Sequence, residues 1–227
     1  MSSPSRLLRD ISSVQLATIE HPILAIPVGS CEQHGPHLPL GTDSIIAEAL
    51  CANLSAANSR VFIGPTLSVT SSGEHAGFAG TLSIGAQVTA STIVELVRSA
   101  EWAHSVVLVN GHGGNASATR AAVATLHAES RRVTDWWPHI AGGDAHAGQI
   151  ETSLMLHLAS HLVDMGRAEV GDLRPLPEIA DDLISSGMRS VTSNGVLGDP
   201  RGASREDGEQ LFTRLVDQLI DHVARHH

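Results

Sequence analysis

Val106-Val107-Leu108-Val109-Asn110-Gly111-His112-Gly113-Gly114-Asn115 is the stretch that decides the fold. Four consecutive apolar residues, three of them β-branched, suit a strand buried on both faces. The polar glycine loop that ends them opens an alanine-rich helix over 116–130, and a further strand follows at about 133–137. Strand, glycine loop, helix and strand in succession is the rhythm of a parallel α/β sheet. The loop itself admits two other uses. An oxyanion loop of a serine esterase would need a G-x-S-x-G nucleophile elbow, and the chain has none. A phosphate cradle would need a Lys-Ser or Lys-Thr pair, and the chain contains no lysine.

The same rhythm appears upstream. Residues 23–28 (ILAIPV) form a short apolar run that predicts a buried strand, followed by Gly29-Ser30-Cys31-Glu32-Gln33-His34-Gly35-Pro36-His37-Leu38-Pro39-Leu40-Gly41-Thr42-Asp43. A helix is expected from Thr42 or Asp43 to about Asn58, then a strand at 61–63. The Gly-, Ser- and Thr-rich segment 65–85 is too long for a simple connection, which marks it as functional. Further helices are expected over 88–103, from the Asp144–Ser153 segment to 159, and from 205 to the end, where Ser204 and Asp207 resemble a capping box. Residues 1–22 read as a helical lead-in, and 164–203 as loops with one short helix. No repeat or linker divides residues 1–227, so a single domain is expected.

Composition narrows the function classes. A chain of 227 residues with 42 % hydrophobic and 17 % charged residues is an ordinary globular sequence, and a net charge of −10 excludes the basic footprint of a nucleic-acid binder. No apolar run is long enough to span a bilayer and the start has no signal-peptide core, so a cytoplasmic protein is expected. Cys31 and Cys51 read as reduced, buried thiols. Fourteen histidines against three Trp, three Phe and no Tyr is the anomaly. His21, His104, His127, His157, His161 and His222 show no clustered partner, and His226 and His227 are expected to be solvated.

In a parallel sheet the loops leaving strand C-termini emerge at one edge. Glu32 and His34 follow one strand, His112 another, and His146 and Glu151 a third, so these groups should meet. Asp43, at a helix start, can turn into the same space. Three carboxylates and two imidazoles, Glu32, His34, Asp43, His112 and Glu151, suit Zn²⁺, Mn²⁺ or Fe²⁺, and one bridging carboxylate lets five ligands hold two ions. Such a pair generates hydroxide from bridging water and polarises the carbonyl it attacks, with His146 the candidate acid for the leaving nitrogen. Glu74 and His75 either face substrate or order their loop. One of the adjacent Trp136 and Trp137 can wall a pocket, and Trp137 is the candidate. His37 and Cys31 are assigned supporting places.

Residues 29–43, Glu74-His75-Ala76-Gly77-Phe78-Ala79-Gly80-Thr81, Asn110-Gly111-His112-Gly113-Gly114-Asn115, His146-Ala147-Gly148-Gln149-Ile150-Glu151-Thr152-Ser153 and Gly195-Val196-Leu197-Gly198-Asp199-Pro200 together resemble the creatininase family, in family order over most of the chain. The resemblance implies a three-layer α/β/α sandwich with a mainly parallel sheet, two divalent ions per subunit and a homo-oligomer, commonly a hexamer. It implies Glu32, Asp43 and His112 on one ion, and His34, Asp43 and a further glutamate on the other. Creatininase itself places that glutamate where this chain has Gly114, so Glu151 must replace it and creatinine is an unsuitable substrate. Phe78-Ala79-Gly80, Cys31 and the run 142–146 resemble a peptidase branch that releases a C-terminal Val-Tyr-derived dipeptide from a modified precursor. Hydrolysis of another small cyclic amide or a formamide, and a non-catalytic metal-binding scaffold, are the competing expectations.

Overall fold

The computed structural model describes residues 6–140 and 142–227. In chain order its elements are α1 (Ser13–Leu16), β1 (Ile23–Val28), α2 (Thr42–Ala57), β2 (Val61–Ile63), α3 (Gly85–Ser99), β3 (Ser105–Asn110), α4 (Ala116–Ala128), β4 (Val133–Trp136), α5 (Gln149–Ala159), α6 (Leu176–Ser186), α7 (Met188–Val191) and α8 (Arg205–His226).

The four strands pair in parallel in the order β2-β1-β3-β4. Ile23 lies opposite both Val61 and Ser105, and Val28 lies opposite Asn110, so β1 and β3 end side by side. The connection from β1 leads to the strand on one side of this pair and that from β3 to the strand on the other. Such a reversal leaves a crevice at the carboxyl ends of the two central strands, where ligands of open α/β sheets bind. Pro27 is tolerated in central β1 because its ladder with β2 stops at Ala25.

Side-chain alternation along the strands builds a core on each face. Ile23, Ala25, Val61, Ile63, Val107 and Val109 pack under Leu50 and Leu54 of α2, Met155 of α5, and Leu215 and Leu219 of α8. Leu24, Ile26, Val28, Val106, Leu108 and Val133 pack under Ile93 and Val97 of α3 and Leu126 of α4. The result is the three-layer α/β/α sandwich expected, with a sheet that is parallel throughout. Helix α8 begins at the residue expected: Ser204 Oγ accepts from the amide of Asp207 at 3.0 Å. The reciprocal half of a capping box is replaced, because the Ser204 amide donates to Ser153 Oγ at 3.2 Å. Among the described residues no helix is long and apolar enough to cross a membrane.

Three expectations are corrected. Among the described residues the lead-in forms only a 3-10 turn, Leu8–Asp10, and the single turn α1, because its irregular apolar spacing offers no continuous face to bury; residues 1–5 of that expectation lie outside the described residues. The segment 164–203 contains two helices, α6 and α7. Pro177 occupies the first turn of α6, where a missing N–H removes no helical bond. Helix α3 starts at Gly85 and stops at Ser99, since the chain must turn through Ala100–Ala103 to enter β3.

Leu108, fully buried at the centre of β3, anchors the second core. Leu108→Ala is expected to lower unfolding free energy by about 2–5 kcal/mol, read as a lower urea midpoint with unchanged slope.

Candidate metal centre

Loops leaving β1 and β3 converge at the crevice, and close backbone approach makes this possible. A Cβ on Gly111 would stand 2.5 Å from the Asp43 carbonyl oxygen, so only glycine lets the β3 loop lie against the start of α2. Asn115 stitches the loops together, donating to the Gly29 carbonyl at 3.0 Å and to Asn110 Oδ1 at 3.1 Å. Asn110 in turn donates to the His112 carbonyl at 2.9 Å, fixing the histidine that follows.

Asp43 is buried at the first turn of α2. Ser30 Oγ donates to its Oδ2 at 2.6 Å, His34 Nε2 stands 3.0 Å from Oδ1, and His112 Nδ1 stands 3.3 Å from Oδ2. Burial alone would raise this carboxyl, but the facing His34 and His112 hold it well below the usual carboxylate range. Burial likewise acts to lower the two histidines, and the carboxylates overcome it. Asp43 foremost lifts His34 to about 10, and Glu32 with Asp43 lifts His112 well above its ordinary value.

Glu32 carries the decisive observation. Its side chain is 0 % exposed, and neither carboxylate oxygen has a hydrogen-bond partner. Around it stand His112 Nε2 at 3.2 Å, His75 Nε2 at 3.5 Å and His146 Nδ1 at 3.9 Å. A buried carboxylate without hydrogen bonds is stabilised by positive charge beside it, which the imidazolium form of His112 supplies in part and a divalent ion held among these groups would supply more fully. Three sets offer ligand atoms lying within 4.8 Å of one another: Glu32, Asp43 and His112; His34, Asp43 and Glu151; and Glu32, His34 and His146. Oxygen and imidazole donors of this kind fit a divalent ion such as zinc, manganese or iron(II).

The third segment arrives through a strained turn. Ala147 has a φ of +51°, a left-handed conformation unusual for alanine, and its amide donates to Glu151 Oε2 at 2.6 Å. Asp144 caps the start of α5 by accepting from the amides of Gln149 and Ile150. Glu151 therefore points back at the cluster, 3.9 Å from His34 Nε2, and desolvation pushes its carboxyl up to about 7. His146 is kept neutral, its pKa driven well below the ordinary value by burial and then by the neighbouring His34 and His75.

Of the residues singled out from sequence, the structure brings Glu32, His34, Asp43, His112, His146, Glu151 and His75 together. Burial lowers His75 to about 4, and its ring lies 4.6 Å from that of His146. Glu74 Oε1 stands 3.7 Å from His112 Nε2, and desolvation raises its carboxyl. A Cβ on Gly114 would collide with that oxygen, so glycine there makes room for Glu74. A cleft of about 620 Å³ opens beside them, lined by Ser71, Glu74, Gly113 and Gly114 together with Leu183 and Ile184 of α6. Trp137 is 51 % exposed and makes no hydrogen bond or ring contact with the cluster; Trp136 is the buried one. His37 is buried behind the site, its Nε2 2.8 Å from Thr152 Oγ1.

Two expectations fail here. Cys31 is partly exposed, because its Sγ lies along the surface loop at 3.6 Å from the Gly80 carbonyl; Cys51 is buried, and both are free thiols. Several outlying histidines do have partners, brought together at a distance in sequence. His21 Nδ1 lies 3.3 Å from His104 Nδ1, and Thr134 Oγ1 joins His222 to His227. Sequence reasoning also passed over Ser30, whose hydroxyl binds Asp43, and Gln33, whose place between two ligand candidates was its only signal.

Residues 9–223 match the profile of the family described as Creatininase, creatinine amidohydrolase. A mycofactocin precursor peptide peptidase of Mycobacterium ulcerans (strain Agy99) is 42 % identical over 213 residues, covering 90 % of this chain and 85 % of its own. A creatinine amidohydrolase of Pseudomonas putida is 28 % identical over 232 residues, covering 88 % of each chain. A crystal structure of creatinine amidohydrolase (creatininase) shares the fold with a TM-score of 0.83 at 22 % identity, over 98 % of both chains.

The imidazolium forms of His34 and His112 must lose their protons to bind an ion. Metal binding at pH 7.5 is therefore expected to release about two protons per chain, read by calorimetry in buffers of different ionisation enthalpy, with affinity rising with pH. In the metal-free protein the sign reverses. A histidine raised from 6.5 to about 10 adds stability that is complete below 6.5 and lost as pH rises through 10. Proton-neutral metal binding would contradict this electrostatic account.

Proposed function

The chain belongs to the creatininase family, and from that premise we propose that it is a peptidase trimming a mycofactocin precursor peptide. It is a metal-dependent hydrolase of C–N bonds. The observation that carries the reading is the wholly buried Glu32 carboxylate, without a hydrogen bond and ringed by imidazoles, combined with relatives at 42 % identity that carry the peptidase name. The specific bond proposed is the one whose cleavage releases the C-terminal Val-Tyr-derived dipeptide.

Glu32, Asp43 and His112 would hold one divalent ion, and His34, Asp43 and Glu151 a second, with Asp43 shared. Ions held there would polarise the scissile carbonyl and bring the pKa of water towards about 7. The chain's own groups supply the rest. Ser30 fixes one Asp43 oxygen through its hydroxyl, so the shared carboxylate cannot rotate freely. His146 donates through Nε2 to the Gln33 carbonyl at 3.0 Å, which leaves its Nδ1 as an acceptor turned towards Glu32. A neutral imidazole in that form takes the proton of the attacking water at Nδ1 and returns it to the leaving nitrogen. Glu151 is the second group proposed for the proton transfer, held towards the cluster by the Ala147 amide and 3.9 Å from His34 Nε2. An extended peptide would reach these groups along the cleft beside Glu74, Gly113 and Gly114. A homo-oligomer, as a hexamer, is the proposed assembly.

The modified precursor incubated with zinc-, manganese- or iron(II)-loaded protein is expected to lose its C-terminal dipeptide, followed by mass spectrometry. Chelation is expected to stop cleavage, and Glu32→Gln to slow it by more than about 10²-fold. A precursor left intact by every loaded form would overturn the substrate assignment.

A further inference from the structure

Gln33 sits between Glu32 and His34, and both ends of its side chain are anchored by backbone. The amide of Gly35 donates to its Oε1 at 2.9 Å, and its Nε2 donates to the Gly195 carbonyl at 3.0 Å. A peptide N–H only donates and a peptide carbonyl only accepts, so these contacts determine which end of the side chain is oxygen and which is nitrogen. Gly195 is shaped for this contact: its φ is +81°, and a Cβ there would collide with Gln33 Oε1.

With that orientation fixed, the two neighbouring imidazoles are no longer free to choose a tautomer. Gln33 Nε2 also lies 3.0 Å from His75 Nδ1. An amide nitrogen can only donate, so His75 Nδ1 bears the lone pair and its proton sits on Nε2, 3.5 Å from Glu32 Oε1. On His146 the backbone carbonyl of Gln33 does the reverse. Nε2 is the donor to it at 3.0 Å, and Nδ1 is left as the lone-pair nitrogen, 3.9 Å from the same Glu32 oxygen. The two hydrogens of the Gln33 amide are used on Gly195 and His75, so its 3.3 Å approach to His146 Nε2 is a contact between two donors satisfied elsewhere.

We propose that Gln33 is a positioning residue that holds His75 as a hydrogen-bond donor and His146 as an acceptor, both facing one point beside Glu32. The inference rests on the amide-hydrolysis reading of the site. At that point the His75 N–H would steady the carbonyl oxygen as negative charge builds on it, while His146 Nδ1 accepts and returns the proton. Either ring in the opposite tautomer would present the wrong atom. The Gln33 side chain and backbone carbonyl thus divide the labour between two histidines from separate segments, His75 at the end of a 3-10 turn and His146 in a bridge with Leu197.

Long-range proton–nitrogen NMR on zinc-loaded protein carrying nitrogen-15 histidine reads which ring nitrogen holds the proton. The His75 signal is identified by its loss in His75→Phe. Wild type is expected to show His75 protonated at Nε2. In Gln33→Glu the shape is kept but the side chain only accepts, so the His75 proton is expected to move to Nδ1. kcat should fall by about 10²-fold, with KM and zinc content within about twofold of wild type. Should the acidic variant lose zinc or melt early, Gln33→Met serves instead: it removes the donor without inverting it, and is expected to give a mixed His75 tautomer and the same kcat-only loss. His75 protonated at Nδ1 in wild type, or an unchanged kcat in a variant whose His75 has switched, overturns the proposal. A wild-type protein that fails to cleave any amide overturns the hydrolysis reading on which the roles depend, and is distinguished by an NMR result that needs no substrate.

Discussion

Negative charge buried at one edge of a parallel sheet is the constraint on which the rest of this structure depends. Glu32 and Asp43 are removed from water, and each buried carboxylate costs several kcal/mol unless it is compensated. Asp43 is compensated within the chain by Ser30, His34 and His112. Glu32 has no hydrogen bond of its own, and only nearby imidazoles and a cation can answer it. The glycines at the loop crossings, the asparagines that pin the loops and the strained Ala147 all serve to hold these groups closer than ordinary side chains would allow. A fold that tolerates such a concentration of charge does so because the site has a use for it.

Much of this was legible in the chain because its physical causes are local. Apolar runs such as 23–28 and 106–109 suit strands buried on both faces, and the parallel sheet they imply sends their loops to one edge. From that geometry alone Glu32, His34, Asp43, His112, His146 and Glu151 were expected to meet, and they do. What was not legible depended on tertiary contact or on position within a helix. Pro177 looks like a breaker until it is known to occupy a first turn. Ser30 and Gln33 differ from any other serine or glutamine only through the partners that the fold brings to them. The pairing of His21 with His104, and of Thr134 with both His222 and His227, joins residues more than 80 positions apart, which spacing cannot reveal.

Small residues shape the space beside the same cluster. Gly114 leaves the volume beside His112 to Glu74, and the cleft continues from there towards Leu183 and Ile184. Of the proposed ligands Glu32, His34, Asp43 and His112 are buried, and Glu151 is partly exposed. The fold is shared with creatinine amidohydrolases; we propose that the residues lining this cleft are where a different substrate is read.

We propose that the buried carboxylates and histidines hold two divalent ions. A crystal structure of the metal-loaded protein with anomalous data collected on both sides of the metal edge tests it most directly. The account requires two anomalous peaks, one among Glu32, Asp43 and His112 and one among His34, Asp43 and Glu151, with Asp43 between them. A fully loaded protein whose ions lie elsewhere, or a Glu32 carboxylate that contacts no ion, would contradict it.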